Sequence, residues 1–472
     1  MTVMASMTRL VVSGLSGGSG KTTVSLGLAR AFARRGMRVA PFKKGPDYTD
    51  TAWLALAAGQ KAANLDPFFF SAERIRAHFA RCFFGADIGI IEGNRGFFDG
   101  RDLSGSSSTA EVAAALKAPV ILVVDITKMT RTTAALVAGC LNFPGGERIA
   151  GVILNRSGGP RHAAIAKKAV EELAGVRVFG VLPRCDVSPI YERRAGLMAV
   201  GAHPGSEEAL DALADFICEH VDVDAILATA RSASKLPELD VSGPEATAND
   251  ETTEETRPRI GIVRDEALWQ YYGENLDALQ DAGADLVFVS LFGASPWPEL
   301  DGLYLGGGDI GPYAARLAQD AARKKEIAAL IESGMPVYAE HSGYFYLGNT
   351  FTREGVSHEM AGVFPVSASI TEKPARLGYM EAALTVDTPF YPAGCAFKGH
   401  EYHYADIAVY DAPGSSVTAT LRKQAGGRRI EVADGLVYKA AFGTSMQIYA
   451  PAVPEWAAAF VREAQSFAAR IR

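Results

Sequence analysis

Between Arg9 and about Ala230, short apolar runs alternate with helix-length segments: "RLVVSG", "MRVAPF", "DIGIIEG", "PVILVVD", "IAGVILN" and "VRVFGVLP". Runs of this kind, bounded by turn residues, predict a parallel sheet with helices on both faces. A doubly wound α/β domain is therefore expected over residues 8–230. The rhythm breaks at 231–257, "RSASKLPELDVSGPEATANDETTEETR", which is small, acidic and nearly free of large apolar side chains. Such a stretch buries too little surface to offset its ordering entropy, so a flexible acidic linker is expected. Strand and helix alternation resumes with "RIGIVRDEA", "ADLVFVS", "GLYLGGG" and "MPVYAEHSG". A second α/β domain over 258–472 follows, and no internal repeat is visible.

Composition narrows the partners. A chain of 472 residues fits two or three domains, and 48% apolar with 21% charged residues is the balance of a soluble globular protein. The net charge of −7 offers no basic surplus for nucleic acid or anionic lipid, so neither is expected as a partner. Five cysteines, with no CxxC pair, fit a reducing compartment. The start "MTVMASMTRLVVSG" lacks a basic region followed by an unbroken apolar one, and no apolar run reaches the ~18 residues of a membrane span. A cytoplasmic protein is expected.

The first chemistry lies in "LVVSGLSGGSGKTTVSLGLARAF", where a strand meets Gly14 to Gly20 and Lys21-Thr22 opens a helix. The common phosphate loop has four residues between its glycines, and this one has five. Small residues let backbone N–H groups converge on phosphate oxygens, and the helix N-terminus adds its dipole. Gly14, Gly17, Gly18, Ser19, Gly20, Lys21, Thr22 and Thr23 are the expected nucleotide-binding residues, with Lys21 on the outer phosphates and Thr22 on Mg²⁺. Partitioning ATPases carry a second lysine where this chain has Ser16, which argues against that class.

Ligands of such sheets gather at the carboxyl ends of the strands. "RVAPFKKGPDYTD" places Lys43, Asp47, Tyr48 and Asp50 after one strand, and "DIGIIEGNRGFFDG" places Glu92 and Asp99 on another. Magnesium on nucleotide phosphates needs one or two carboxylates and a hydroxyl, which makes Glu92 the first candidate ligand and Asp47 the second. Asn155 ends "GVILN"; its amide suits an adenine edge, and asparagine is equally a common turn former.

Taken together, "SGLSGGSGKTTVSLGLARAF", "PFKKGPDYTD", "NLDPFFF", "IIEGNRGFFDG", "STAEVAAALKAPVILVVD", "IAGVILNRSGGPRH" and "YERRAGL" resemble the cobyrinate a,c-diamide synthase family. The likeness continues through "RDEALWQYYGENLDAL", "DGLYLGGG", "PVYAEHSGYFYL", "LGYMEA" and "KGHEYHY", covering all but the linker. It implies a dethiobiotin synthetase-like domain joined to a class I glutamine amidotransferase domain. The implied activity is ATP- and Mg²⁺-dependent amidation of tetrapyrrole carboxylates through an acyl phosphate, on cobyrinate or a metallated relative such as siroheme. By resemblance, Lys21 and Thr22 hold nucleotide and metal, Asp47 and Glu92 sit near Mg²⁺, and Tyr48, Asp50 and Asp99 face the tetrapyrrole. Asn155 gains support as an adenine contact, and a homodimer is possible by the same likeness. Lys44 and Arg194 depart from the family's usual residues, which points to a different macrocycle.

The second domain departs further. A class I glutaminase needs a cysteine thiolate after its strand and a histidine to deprotonate it. Where the family reads like "YAECGG", this chain reads "YAEHSG", so the nucleophile position holds His341. Ser342 is one residue away, and such a shift at a tight turn re-aims the hydroxyl. The segment resembling the family's histidine-bearing end reads "FGTSMQIYAP", and "DIGPYA" follows "LYLGGG". A glutaminase fold without glutaminase activity is expected, with nitrogen drawn from ammonia or from a separate glutaminase. In "KGHEYHY" strand alternation turns His400 away from Glu401 and His403, which argues for a wall rather than a metal pair. A non-catalytic, ATP-responsive tetrapyrrole carrier is the competing expectation.

Overall fold

The computed structural model describes residues 7–184, 192–193, 196–197, 205–237, 257–293, 295–372, 376–410, 416–425 and 428–471. Arg194, Cys185 and linker residues 238–256 lie outside them. The chain divides into two compact units, Met1–Gly243 and Pro244–Arg472.

The first unit holds a seven-stranded sheet. Its strands are β1 (Arg9–Gly14), β2 (Val39–Lys44), β3 (Ala63–Leu65), β4 (Ile88–Gly96), β5 (Val120–Asp125), β6 (Ile149–Ser157) and β7 (Val178–Pro183). They run in the order β3-β2-β4-β1-β5-β6-β7, and every pairing is parallel. β1 and β2 are buried along their whole length, as strands covered on both faces must be. Helices α1 (Lys21–Arg34) and α2 (Thr49–Ala58) follow β1 and β2. The chain reaches β4 on one side of β1 and β5 on the other, which opens a crevice at the strand ends.

One carbonyl at the start of the expected linker is tied back to the sheet. Arg9 is fully buried, and its guanidinium donates to the carbonyls of Leu116, Met7 and Ser234, each at 2.6 Å. Composition predicted no such anchor, because the partner of Ser234 lies 225 residues away.

The second unit is built on a ten-stranded sheet. Its strands are β8 (Arg259–Val263), β9 (Asp285–Val289), β10 (Gly302–Leu305), β11 (Val337–Glu340), β12 (Arg376–Leu384), β13 (Ala396–His403), β14 (Ser416–Ala425), β15 (Arg428–Tyr438), β16 (Ala441–Thr444) and β17 (Gln447–Ile448). The order is β9-β8-β10-β11-β16-β15-β14-β12-β13-β17. From β9 to β16 the pairs are parallel, and beyond β16 they are antiparallel. Trp456, Phe460 and Tyr338 anchor an aromatic core beneath the parallel part. Among the described residues no helix is long and apolar enough to cross a membrane.

Candidate active site

In the first unit three strand ends converge on the loop between β1 and α1. Gly20 caps α1 at φ 95°, the left-handed region that a side chain strains to enter. A Cβ there would also fall 2.1 Å from Asn155 Nδ2. Gly18 shares the left-handed conformation, and Gly17 is exposed beside it. Asn155 donates from Nδ2 to the Ser19 carbonyl at 2.9 Å, and its Oδ1 accepts the Arg156 N–H at 2.8 Å. It braces the loop between β1 and α1, with one amide hydrogen and one Oδ1 lone pair beyond these two bonds. The buried Ser19 hydroxyl has no hydrogen-bond partner among the described residues, which fits a phosphate oxygen. Lys21 is buried at the start of α1, where burial, then the charge of Lys43, lowers its pKa. Thr22 and Thr23 follow, half-buried.

Glu92 lies within β4, fully buried, in register with Val12 of β1 and Lys43 of β2. Its Oε1 accepts Thr22 Oγ1 at 2.6 Å and Lys43 Nζ at 2.9 Å. Lys43 Nζ reaches Asp50 Oδ2 at 2.5 Å, and the Asp50 N–H donates to Asp47 Oδ1 at 2.8 Å. Thr22, Glu92, Lys43, Asp50 and Asp47 thus form one connected array. Burial and then Asp50 push Asp47 up to about 7, and burial raises Glu92. Burial alone would lower Lys43, yet Asp50, Glu92 and Asp47 outweigh it and hold the ammonium charged.

These shifts mark a site short of positive charge. Glu92 Oε2 has no hydrogen-bond partner among the described residues. With Thr22 Oγ1 and Asp47 nearby, the donor set fits a magnesium ion, which needs few protein ligands. Tyr48 stands at the N-cap of α2, next to Asp47. Asp99 is exposed beyond β4, where its Oδ2 accepts the Gly96 N–H at 3.0 Å. Lys44 is buried 3.7 Å from Asp66, and burial lowers its pKa.

In the second unit β11 ends on Glu340, and His341 caps a short helix, Ser342–Tyr346. His341 has φ 52° and ψ −119°, the strained turn with which a strand presents a nucleophile. Its Nε2 lies 2.9 Å from the Tyr402 carbonyl, which only accepts, so the proton sits on Nε2 and Nδ1 carries the lone pair. Burial, then His403, lowers the imidazole to about 4, leaving it neutral near pH 7. The Ser342 hydroxyl is 3.0 Å from His341 Nδ1 and 2.8 Å from the Gly308 carbonyl. Its one hydrogen is therefore contested by two acceptors. Gln447 opens β17, and its Nε2 would be 2.3 Å from a Cβ on Gly307. A carboxamide, which cannot take up a proton near neutral pH, faces the Gly307–Gly308 strand there.

Family comparisons cover both units. Residues 10–195 match the CobQ/CobB/MinD/ParA nucleotide binding domain, and 259–450 match the CobB/CobQ-like glutamine amidotransferase domain. The cobyrinate a,c-diamide synthase of Magnetococcus marinus is 38% identical over 97% of this chain and 98% of its own length. That of Archaeoglobus fulgidus is 39% identical over 84% of this chain and 85% of its own length, and that of Methanosarcina acetivorans 35% over 99% and 97%. The chain belongs to the cobyrinate a,c-diamide synthase family. It is accordingly a ligase-type enzyme with a nucleotide-binding domain and a glutamine amidotransferase fold.

Within that family frame, two residues escaped the sequence reading. Lys43 was seen only as a residue after a strand, although it ties Glu92 to Asp50; the signal was its position at the end of β2, beside the acids. Gln447 carries no titratable group, so its sequence position gives no signal. Only the pairing of β13 with β17, which sets His400 opposite Gln447, brings it to the glycine strand.

Proposed function

We propose that this enzyme amidates carboxylate side chains of a modified tetrapyrrole at the expense of ATP, taking nitrogen from ammonia rather than from glutamine bound to its own second domain. The observation that carries this reading is a contrast. The Thr22–Glu92–Lys43–Asp50–Asp47 array is complete, whereas the nucleophile position holds a neutral His341 and a carboxamide faces the glycine strand.

The chemistry divides into two transfers. A substrate carboxylate oxygen attacks the γ-phosphorus of ATP, the bond to ADP breaks, and an acyl phosphate forms. Ammonia then attacks the acyl carbon, inorganic phosphate leaves, and one proton is lost to give the amide. Hydroxide is a poor leaving group and phosphate a good one, which is why ATP is spent. Lys21 stabilises charge on the transferring group, and the phosphate-loop amides hold the nucleotide. Magnesium, held by Thr22, Glu92 and Asp47, would neutralise phosphate charge. Lys43 holds Glu92 and Asp50 in place. Tyr48, Asp50 and Asp99 orient the macrocycle, and Asn155 contacts adenine.

The macrocycle is cobyrinate or a metallated relative such as siroheme. Purified protein with ATP, Mg²⁺, ammonium and each candidate is read by mass spectrometry for exchange of a carboxyl oxygen for nitrogen. Product with ammonium and none with glutamine supports the proposal. Neither product nor phosphate release with any tetrapyrrole would replace it with a binding protein.

A further inference from the structure

In the first unit, β4 leaves its register with β1 directly after Glu92. Glu92 pairs with Val12 and Gly96 with Gly14, so the steps from 92 to 96 on β4 are matched only by those from 12 to 14 on β1. The surplus forms a bulge, a feature that re-aims side chains beside active sites. Arg95 sits in it at φ 52°, the left-handed region that a non-glycine residue enters at a cost. Such strain persists only where neighbours enforce it. Here the Asn94 N–H donates to Thr109 Oγ1 at 3.2 Å, the Arg95 N–H to Asn94 Oδ1 at 2.9 Å, and the Phe97 N–H to the Gly14 carbonyl at 2.7 Å. A Cβ on Gly96 would fall 2.5 Å from the Leu15 carbonyl, and one on Gly45 would fall 2.9 Å from Asn94 Nδ2. The bulge is thus wedged between the loop that follows β1 and the loop that follows β2.

The cations at these strand ends are not equivalent. Lys43 is buried against Glu92 and Asp50, and Lys44 is buried 3.7 Å from Asp66. Arg95 is exposed, and among the described residues its guanidinium makes no hydrogen bond or ion pair. Burial lowers Lys44, and the Arg95 charge adds to that lowering, so Arg95 stands within electrostatic reach of the β2 end. A macrocycle bearing several carboxylates would meet the acids Asp50 and Asp99 here, and it needs a cation that the protein has not already neutralised. A guanidinium suits that need, because its planar fork bonds both oxygens of a carboxylate at once.

We propose that Arg95 binds a tetrapyrrole carboxylate other than the one that reacts, and so fixes which side chain of the macrocycle is presented to the nucleotide. This inference rests on the tetrapyrrole reading above. The backbone strain at residue 95 is then the cost of holding the guanidinium out of the sheet and toward the substrate.

The test separates binding from turnover. The full chain, without ATP or a nitrogen source, is titrated with cobyrinate and with siroheme, each as the free acid and as its methyl ester, and binding is read from the visible absorption. Arg95→Gln should weaken binding of the free acid about 10- to 100-fold, as expected on losing a charged hydrogen bond, and leave binding of the ester unchanged. Arg95→Lys, which keeps the charge without the fork, should fall between wild type and Arg95→Gln. Arg95→Gly should weaken the free acid as much as Arg95→Gln while its unfolding midpoint stays level or rises, because the left-handed strain is gone. In turnover, the KM for tetrapyrrole should rise in these variants with the KM for ATP unchanged. Equal losses for acid and ester would mark a merely structural role and overturn the inference, as would a raised KM for ATP with unaltered tetrapyrrole affinity. Wild type that binds tetrapyrrole no better than its Arg95 variants sinks Arg95 and leaves the proposed function standing. Wild type that binds no tetrapyrrole at all sinks the proposed function, and Arg95 with it.

Discussion

At Lys21 and Lys43 two buried ammonium groups do different work, because only one of them is committed to protein carboxylates. Lys43 bonds buried Glu92 and half-buried Asp50, so Lys43→Ala removes the cation between them and should lower the unfolding free energy by about 3–5 kcal/mol. Lys21 is lowered by burial and faces the phosphate loop. Lys21→Ala should cut turnover by about a hundredfold or more while urea unfolding shifts by less than the Lys43 variant. Equal stability losses would contradict this division. His341 provides a pH signature. Its pKa falls from 6.5 in the unfolded chain to about 4 in the fold, so the unfolded state binds the proton more readily. Stability from this group is fully present above pH 6.5 and is lost as pH falls through about 4, at about 1.4 kcal/mol per pH unit. His341→Gln should flatten that acid limb in urea titrations between pH 7 and 4.5. The same variant should keep ammonium-dependent turnover at saturation, since His341 takes no part in the transfer chemistry.

The elements show how far the sequence could be read. Alternating apolar runs located β1, β2, β4, β5, β6 and β7, since a strand covered on both faces must be apolar throughout. Loop glycines and Lys21-Thr22 placed the loop between β1 and α1 through local spacing, and strand-end acids pointed to the array. What stayed hidden depends on partners distant in sequence. The Asn155 brace on Ser19 spans 136 residues, and the Arg9 bond to Ser234 spans 225. His341 was legible as a replaced nucleophile, but its neutral tautomer follows only from the Tyr402 carbonyl opposite. The brace also carries a prediction. Asn155→Ala removes one hydrogen bond to the loop and should weaken nucleotide binding about 5- to 30-fold by calorimetry, with the sheet intact. Unchanged affinity would show that the loop holds its shape without β6.

Across the whole molecule, the two units have diverged in how much of their expected chemistry they keep. The first presents a bonded array of hydroxyl, carboxylates and lysine at the ends of a parallel sheet. The second keeps a strained strand–turn–helix elbow at His341 and the Gly307–Gly308 strand, with an imidazole where a cysteine thiolate would stand. Strain of this kind persists only where the surrounding structure enforces it. Here the Tyr402, Gly308 and Ser342 bonds supply that restraint. Under the proposed function, the chain is a synthetase whose nitrogen supply has been separated from glutamine hydrolysis. The most direct test supplies purified full-length protein with ATP, Mg²⁺ and tetrapyrrole, together with heavy-nitrogen ammonium and unlabelled glutamine, and then with the labels exchanged. Product carrying nitrogen from ammonium in both experiments is the predicted result; nitrogen from the glutamine amide, abolished by His341→Ala, would contradict it.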